Sequence, residues 1–198
     1  STVGLLDLKI LQTESQNEFF SNLRNKKFKL IYLLGSDNLD LKKDNEFVVY
    51  QGSHGDRGAE IADIILPSAT YTEQNGLYEN LEGRLQECKK ASYPIGESLE
   101  DWKIFNKIIK RISIQEKTSN FDQLRKEVLD IIPNFSSLND LPKKEVIKKN
   151  EIKADYFSEE IVIRELDYYY TNSISRSSKT MSECRQIRQK TIKDGTNN

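Results

Sequence analysis

Residues 46–86 constrain the fold of this chain most, because they combine a buried strand, a glycine loop, a second strand and a long polar turn. Residues 47–50, Phe-Val-Val-Tyr, form a continuous apolar run that predicts a strand buried on both faces of a parallel sheet. Gly52, Gly55 and Gly58 recur every third residue, which allows sharp turns and backbone N–H groups directed at an anion. Their spacing matches neither the dinucleotide-binding fingerprint nor the phosphate-binding loop. The glycines therefore predict either an anion-binding loop or tight turns beside a sheet.

Neighbouring segments predict two further strands and a helix of the same α/β domain. Residues 28–34 and 62–66 are apolar, β-rich runs, and Pro67 ends the second run because it has no N–H to donate to a strand ladder. A helix is predicted at about residues 15–26. Since three strands make only half a sheet, their apolar faces and an unpaired edge need a cover. We therefore expect an α/β domain portion with parallel strands and flanking helices that another chain completes.

Two amphipathic helices are predicted in the second half of the chain. The first is expected to begin with Ser98 and Asp101 as a capping pair, and the second with Ser119 and Asp122. The first helix is predicted to turn one face to the core, formed by Trp102, Phe105, Ile108, Ile109 and Ile112. The buried face predicted for the second helix consists of Phe121, Leu124, Val128 and Ile131 or Ile132. Pro133 is predicted to end the second helix.

Composition excludes two classes of function. Lys and Arg total 30 against 31 acidic residues, so we expect no field that attracts a phosphate backbone and no nucleic-acid partner. No apolar stretch approaches the roughly 20 residues that cross a bilayer, and residues 1–4 resemble neither a signal peptide nor a basic presequence. Residues 143–150 are rich in lysine but mixed in sign, which predicts a solvated connector more than an anion-binding patch.

Cysteine and histidine, which bind transition metals and often act in catalysis, are few. Cys88 and Cys184 are far apart without a C-x-x-C spacing, so we expect no iron–sulfur cluster or zinc ion bound by this chain, and two reduced thiols. The single histidine, His54, lies beside Gly55 and Asp56 and has the chemistry of an acid or a base. A loop histidine bonded to backbone is the commoner case. The sequence therefore predicts a structural role for His54 and no catalytic residue.

Motifs in three separated stretches of the chain resemble those of one family. Residues 48–67 read V-V-Y-Q-G-x-H-G-D-x-G-A-x-I-A-D-x-I-L-P, and the short motifs Y-T-E and N-x-E-G-R follow within residues 71–84. Residues 100–104 are E-D-W-K-I, and residues 170–177 are Tyr-Thr-Asn-Ser-Ile-Ser-Arg-Ser. In this order they resemble the C-terminal half of the large iron–sulfur subunit, the 75 kDa subunit, of respiratory NADH:ubiquinone oxidoreductase (complex I).

The resemblance implies a structural, non-catalytic part of the peripheral arm of complex I, which supports electron transfer from NADH to ubiquinone. It implies a partial molybdopterin-oxidoreductase-like α/β domain at residues 1–135, a charged connector at 136–167 and a docking tail at 168–198. Iron–sulfur clusters and FMN are then expected in partner chains, among them the N-terminal cluster-bearing part of the same subunit and other hydrophilic-arm subunits. The implied location is peripheral, on the matrix side of the mitochondrial inner membrane or the cytoplasmic face in a bacterium.

The polar turn resembles a region that packs beside the cofactor in molybdopterin-dependent oxidoreductases. Glu73, Asn80 and Arg84 have the donors and acceptors to bind a pterin or a phosphate, and Glu82 is placed to hold Arg84. Alternatively, these groups satisfy one another and the turn, as a relic of a cofactor site. Complex I relatives generally keep this fold without molybdenum, which favours the relic. The competing function is that of an active molybdopterin enzyme such as a formate dehydrogenase.

The C-terminal residues carry the predicted interaction site. Tyr168, Tyr169 and Tyr170 can bury large rings while their hydroxyls stay hydrogen-bonded, which is typical of interface aromatics. With Arg176 they predict an extended tail that docks on a partner surface. Residues beyond about 189 are predicted to be disordered.

Overall fold

A computed structural model of the chain describes residues 2–10, 16–36, 39, 41–113, 120–132, 138–141 and 167–195. The chain divides into two units, Ser1–Lys144 and Glu145–Asn198. The helices described in the first unit are α1 (Thr2–Asp7), α2 (Gln16–Arg24), α3 (Arg57–Glu60), α4 (Asp101–Ile112) and α5 (Phe121–Ile131). Its strands are β1 (Leu30–Leu34), β2 (Phe47–Gly52), β3 (Ile64–Pro67), β4 (Gly76–Glu79) and β5 (Leu85–Cys88). The second unit contains α6 (Ser173–Ser177) and α7 (Lys179–Gly195).

The three apolar runs form a parallel sheet in the order β1-β2-β3, which confirms the predicted strands and the α/β class. The middle strand, β2, is the most buried, because both of its faces are covered. Leu33, Val48 and Tyr50 form the core on one face. Pro67 is the last residue of β3, where its missing N–H interrupts no ladder.

A β-hairpin occupies the stretch that the sequence predicted as a long turn. Strands β4 and β5 pair antiparallel, with Glu79 opposite Leu85. Gly83 adopts a φ of 81° in the loop between them, a conformation that glycine accepts without a Cβ penalty. The strand signal was missed because each strand is only four residues long and contains neither a regular apolar/polar alternation nor a long apolar run.

Both predicted C-terminal helices of the first unit are present, but their caps differ from the prediction. Ser98 does not cap α4; its hydroxyl donates to the carbonyl of Ile95 at 2.7 Å. Asn120 caps α5 by accepting from the Gln123 N–H at 2.9 Å, while Ser119 and Pro133 lie outside the described residues. Of the alternatives at the end of α5, Ile132 is the buried one.

The predicted core face of α4 is only partly buried. Ile104 is the buried residue of this helix, although the prediction did not include it. Ile112, which the prediction placed in the core, is 79% exposed. Helical spacing correctly identified one apolar side, but it does not show how much of that side a neighbouring element covers.

The described part of the second unit is helical from Ser173 onward and has turns at residues 167–172, which corrects the expectation of an extended tail. Asn172 and Ser175 form a reciprocal capping box that starts α6. Such a box supplies the local hydrogen bonds that a helix start needs, so a helix forms without a long apolar stripe. Helix α7 continues to Gly195, beyond residue 189 where disorder was predicted. Most of the predicted connector at residues 136–167 lies outside the described residues, which include only 138–141 and 167 of it.

None of the helices in the described ranges has the length and apolar character needed to cross a membrane.

Candidate functional site

The packing of Tyr50 accounts for two of the loop glycines. Its hydroxyl donates to the carbonyl of His54 at 2.6 Å, so the ring lies against the loop that follows β2. A Cβ added to Gly52 would lie 2.5 Å from Tyr50 Cζ. A Cβ added to Gly58 would lie 2.9 Å from the Ser36 carbonyl oxygen and 3.0 Å from Tyr50 Cδ2. These glycines make room for an aromatic ring, which favours tight turns over an anion-binding loop.

Local contacts also surround the histidine of this loop. Nδ1 of His54 lies 2.9 Å from the hydroxyl oxygen of Ser53. Asp56 is the N-cap of α3, and its carboxylate accepts from the Arg57 N–H at 2.8 Å. Gly55 is not among the glycines with positive φ, and the position of its absent Cβ faces open space. The contacts of His54 are therefore the Ser53 hydroxyl at its ring and the Tyr50 hydroxyl at its carbonyl.

Asn80 organises the turn of the hairpin. Its Oδ1 accepts from the N–H groups of Glu82 at 3.0 Å and Arg84 at 2.9 Å. Glu82 accepts from the Asn80 amide at 3.4 Å. It therefore contacts Asn80, whereas the prediction had it hold Arg84. The guanidinium of Arg84 instead donates to the carbonyl of Asn139 at 2.6 Å. Asn80 and Arg84 thus complete a turn and anchor a neighbouring segment.

Glu73 does not meet the other two relic candidates at one site. Its carboxylate accepts from the Thr70 N–H at 3.2 Å, in the turn that precedes β4. Asn80 directly follows β4, so the length of that strand, roughly 13 Å at about 3.3 Å per residue, separates the two positions. The candidates therefore occupy opposite ends of the strand, and each is engaged by its own turn.

A cavity of about 490 Å³ lies between α1, the hairpin, α4 and α5. Its walls are mainly apolar and include Leu5, Leu34, Leu77, Trp102 and Leu124. Its polar lining comes from Gln74, Asn75, Glu79 and Asp101. Neither Glu73, Asn80 nor Arg84 lines it. The three relic candidates therefore do not line this cavity, and their role in a former cofactor site stays a prediction.

A partly buried network of amides around one carboxylate was not predicted from the sequence. Gln51 is completely buried, and its amide donates to Asp101 Oδ1 at 2.6 Å. Gln74 donates to Asp101 Oδ2 at 2.9 Å and accepts from the Asp101 N–H at 3.0 Å. Tyr32 donates to Gln51 Oε1, and burial with the nearby Asp101 carboxylate raises the pKa of the Tyr32 hydroxyl. The network joins β1, β2 and the first turn of α4.

The sequence does contain one signal for this network. Gln51 directly follows the apolar run of β2, and a polar residue in a buried strand needs hydrogen-bond partners. Its partner Asp101 is separated from it by 50 positions, so no local spacing identifies the pair.

A buried carboxylate, Glu100, fixes the start of α4. Glu100 accepts from Trp102 Nε1 at 2.9 Å, from Lys103 at 3.0 Å and from Lys90 at 3.3 Å. Burial alone would raise the pKa of this carboxyl group, but these three donors lower it below its ordinary value. Glu100 therefore remains ionised and links the hairpin exit to α4.

A third carboxyl group, Glu79, joins the hairpin to α1. It is 3% exposed, and burial raises its pKa to about 7, with further contributions from the charge of Asp7 and a hydrogen bond to it. A Cβ on Gly4 would lie 3.5 Å from Glu79 Oε2, so α1 packs directly on this side chain. Protonated Glu79 can donate to the Asp7 carboxylate, and the helix and the strand then share one proton.

Several tail residues singled out by the sequence lie together. Arg176 donates to the carbonyl of Tyr170 at 3.3 Å, and the guanidinium of Arg185 lies 4.6 Å from the centroid of the Tyr170 ring. The hydrogen bond from Arg185 lowers the pKa of the Asp167 carboxyl group. Tyr168 is largely exposed, whereas Tyr169 is half-buried. The arrangement fixes the tyrosine segment on α7, and its role as an interaction site stays a prediction.

Cys88 and Cys184 are both free thiols. Over the described ranges, no group of three or more His, Cys, Asp or Glu side chains has an arrangement that would hold a metal ion.

Two family models match the chain. Residues 1–111 match molybdopterin oxidoreductase. Residues 133–184 match the C-terminal part of the G subunit of NADH-ubiquinone oxidoreductase. The two matches follow one another along the chain in the order that the sequence motifs predicted.

Individual proteins similar to this chain are subunits of NADH-ubiquinone or NADH-quinone oxidoreductase. The chain is 38% identical over 190 residues to the NADH-ubiquinone oxidoreductase 75 kDa subunit of Reclinomonas americana, which covers 94% of the chain and 27% of that protein. It is 40% identical over 161 residues to the G subunit of NADH-quinone oxidoreductase from Rickettsia bellii, covering 81% of the chain and 24% of the relative. The mitochondrial 78 kDa subunit of NADH-ubiquinone oxidoreductase from Neurospora crassa is 39% identical over 167 residues, 79% of the chain and 22% of the relative. The chain thus spans about a quarter of the length of these relatives.

Proposed function

We propose a structural and non-catalytic role in the peripheral arm of respiratory complex I for this chain, which belongs to the molybdopterin oxidoreductase family. Its similarity to the G and 75 kDa subunits of NADH-quinone oxidoreductases supports this assignment. In this role the chain supports electron transfer from NADH to ubiquinone by holding neighbouring parts of the arm in position. FMN and the iron–sulfur clusters are bound by partner chains.

The observation that carries the non-catalytic role is the separation of the former cofactor candidates. Glu73 is engaged in the turn before β4, while Asn80 and Arg84 are engaged in the turn after it. A pterin site requires such groups to converge on one cavity, because they must bind the same molecule. No observation favours an active molybdopterin enzyme such as a formate dehydrogenase.

A partner polypeptide is proposed to complete the sheet. In the described part of the chain, no further strand pairs with the outer edge of β1 or β3; only Leu99 bonds the carbonyl of Pro67 at the end of β3. Apolar side chains at both edge strands are exposed, with Leu30 of β1 at 60% and Ile65 of β3 at 53%. Parallel sheets are normally covered on both faces, and unpaired strand edges recruit further strands. The natural partner is the cluster-bearing part of the same subunit.

The same role implies a peripheral position beside a membrane. On this proposal the chain lies on the matrix side of the mitochondrial inner membrane, or on the cytoplasmic face in a bacterium. Other hydrophilic-arm subunits of complex I are its further partners, and nucleic acid is not one of them.

Metal analysis of the tagged assembly purified from cells tests the assignment. We expect the chain to co-elute with NADH:quinone oxidoreductase activity and iron, without molybdenum or tungsten. The control is the same purification from cells that express the tag alone. A stoichiometric molybdenum or tungsten content with an ordered pterin would reverse the assignment in favour of the active enzyme.

A further inference from the structure

A groove of about 630 Å³ runs between β3 and α4, and we call it the β3–α4 groove. Its apolar lining includes Leu66, Leu99, Ile104, Ile108 and Ile112. The charged residues that line it are Lys107, Lys110, Arg111 and Glu97. The groove therefore combines an apolar floor with a rim in which positive charges outnumber negative ones.

The sheet register explains why this groove is open. Tyr32, Val49 and Ile64 are neighbours across the three strands, so their side chains point to the same face of the sheet. Helix α4 lies on that face, because the ring of Phe105 stacks on Tyr32 with centroids 5.8 Å apart. The helix is thus held over β1 and β2, and within the described ranges it leaves the β3 side of the layer uncovered.

The exposed side chains at the groove are large and apolar. Ile112 lines the groove and is 79% exposed. Ile64 does not line it, but lies on the same face of β3 as Leu66 and is 45% exposed. One such residue on a surface is ordinary, but a continuous apolar groove with a charged rim is typical of an interaction site. From Ile104 to Ile112 the groove follows α4 for about 12 Å, at about 1.5 Å per residue. This length accommodates about two turns of a second helix.

Charge decides which kind of helix fits. A basic helix would bring its charges against Lys107, Lys110 and Arg111, whereas an acidic edge would be attracted to them. An apolar stripe beside that acidic edge would cover Ile108 and Ile112.

We propose that the β3–α4 groove binds an amphipathic helix of a partner polypeptide, with its apolar stripe on Ile108 and Ile112 and an acidic edge facing Lys107 and Arg111. The inference rests on the proposed function, because it states the chemistry of a partner that covers this domain. The bound helix lies beside α4 and completes the helical layer over β3.

Site-specific photo-crosslinking within the assembled complex tests this proposal. A benzophenone amino acid replaces Ile112 in one variant and Ile131 in the control; each is the exposed last residue of its helix, but only Ile112 lines the groove. We expect position 112 to crosslink to one polypeptide segment with an apolar stripe and an acidic edge, and position 131 to leave that segment unlabelled.

Charge reversal supplies the second readout. Lys107→Glu with Arg111→Glu should lower the crosslinking yield at position 112 about tenfold, because two exposed attractions become repulsions. Lys126→Glu, an exposed charge on α5 outside the groove, should leave the yield unchanged.

The outcomes separate this inference from the proposed function. If the chain is absent from complex I, the proposed function fails. If the chain is assembled but position 112 gives no crosslink, the groove proposal is wrong. It is also wrong if position 112 crosslinks to a lipid, to a second copy of this chain or to a basic segment. An unchanged yield after charge reversal would likewise remove the acidic-helix assignment.

Discussion

At the scale of single residues, the glycines at positions 52 and 58 are explained by the close approach of the Tyr50 side chain to the backbone. Tyr50 occupies the space above Gly52 and Gly58, and its hydroxyl bonds the backbone of the loop between them. A loop with regularly spaced glycines can therefore reflect the volume of one neighbouring ring. The same residue pattern in a sequence indicates a phosphate loop only when the spacing and the following helix also agree.

Gly58 and Gly55 provide a matched test of this explanation. Gly58→Ala should destabilise the domain by about 1–3 kcal/mol, because the new methyl group overlaps the Ser36 carbonyl and the Tyr50 ring. Gly55→Ala should be near neutral, since its Cβ position is open and its φ is not positive. The measurement is the temperature at which the chain is lost from the purified assembly. Equal shifts for the two variants would show that Tyr50 packing is not the reason for Gly58.

At the scale of secondary-structure elements, buried polar groups hold together parts that the apolar core does not reach. Asp101 joins α4 to β2 through Gln51 and to the β3–β4 connection through Gln74. Glu79 joins β4 to α1. Buried carboxyl groups need such partners, since an unpaired one is costly.

The Glu79 contact is predicted to make the docking of α1 depend on pH. The folded-state pKa of Glu79, about 7, is raised above the ordinary 4.5. The contribution of the protonated carboxyl group to the stability of the α1 contact is therefore fully present below about pH 4.5 and is lost as the pH rises through 7. The measurement is hydrogen exchange of the α1 amides in the assembled complex, corrected for intrinsic rates. Protection of these amides should be greater at about pH 5.5 than at about pH 8, because these two values lie on either side of the folded-state pKa.

Two variants isolate the proton shared by Glu79 and Asp7. Glu79→Gln should make α1 protection nearly independent of pH, because the amide donates to Asp7 without titrating. Glu82→Gln changes an exposed carboxyl group of the same hairpin and should keep the wild-type pH dependence. A pH-independent wild type, or a Glu79→Gln variant that behaves like it, would refute the shared-proton account.

The same elements show what could be predicted from sequence. The strands β1, β2 and β3 follow from continuous apolar runs, a local property. The hairpin was missed because its strands are short and half polar, and Ser98 was wrongly chosen as a cap because α4 begins later. The contact between Gln51 and Asp101 is set by tertiary packing, which no local spacing encodes. The separation of Glu73 from Asn80 likewise follows from a strand that the sequence did not show.

At the scale of the whole molecule, the first unit has a small core for the apolar surface it displays. Its described sheet has three strands, both edge strands carry exposed apolar residues, and the β3–α4 groove is open. A domain with these properties gains stability when a partner covers it. A divided domain of this kind should bury on the order of 2,000 Å² or more against its partner.

Hydrogen exchange of the strand amides in isolated residues 1–198 and in the assembled complex tests this central claim most directly. The account predicts rapid exchange in β1, β2 and β3 of the isolated chain, no cooperative near-ultraviolet circular dichroism transition, and strong protection of the same amides in the complex. Protected strand amides with a cooperative transition in the isolated chain at low concentration would contradict it.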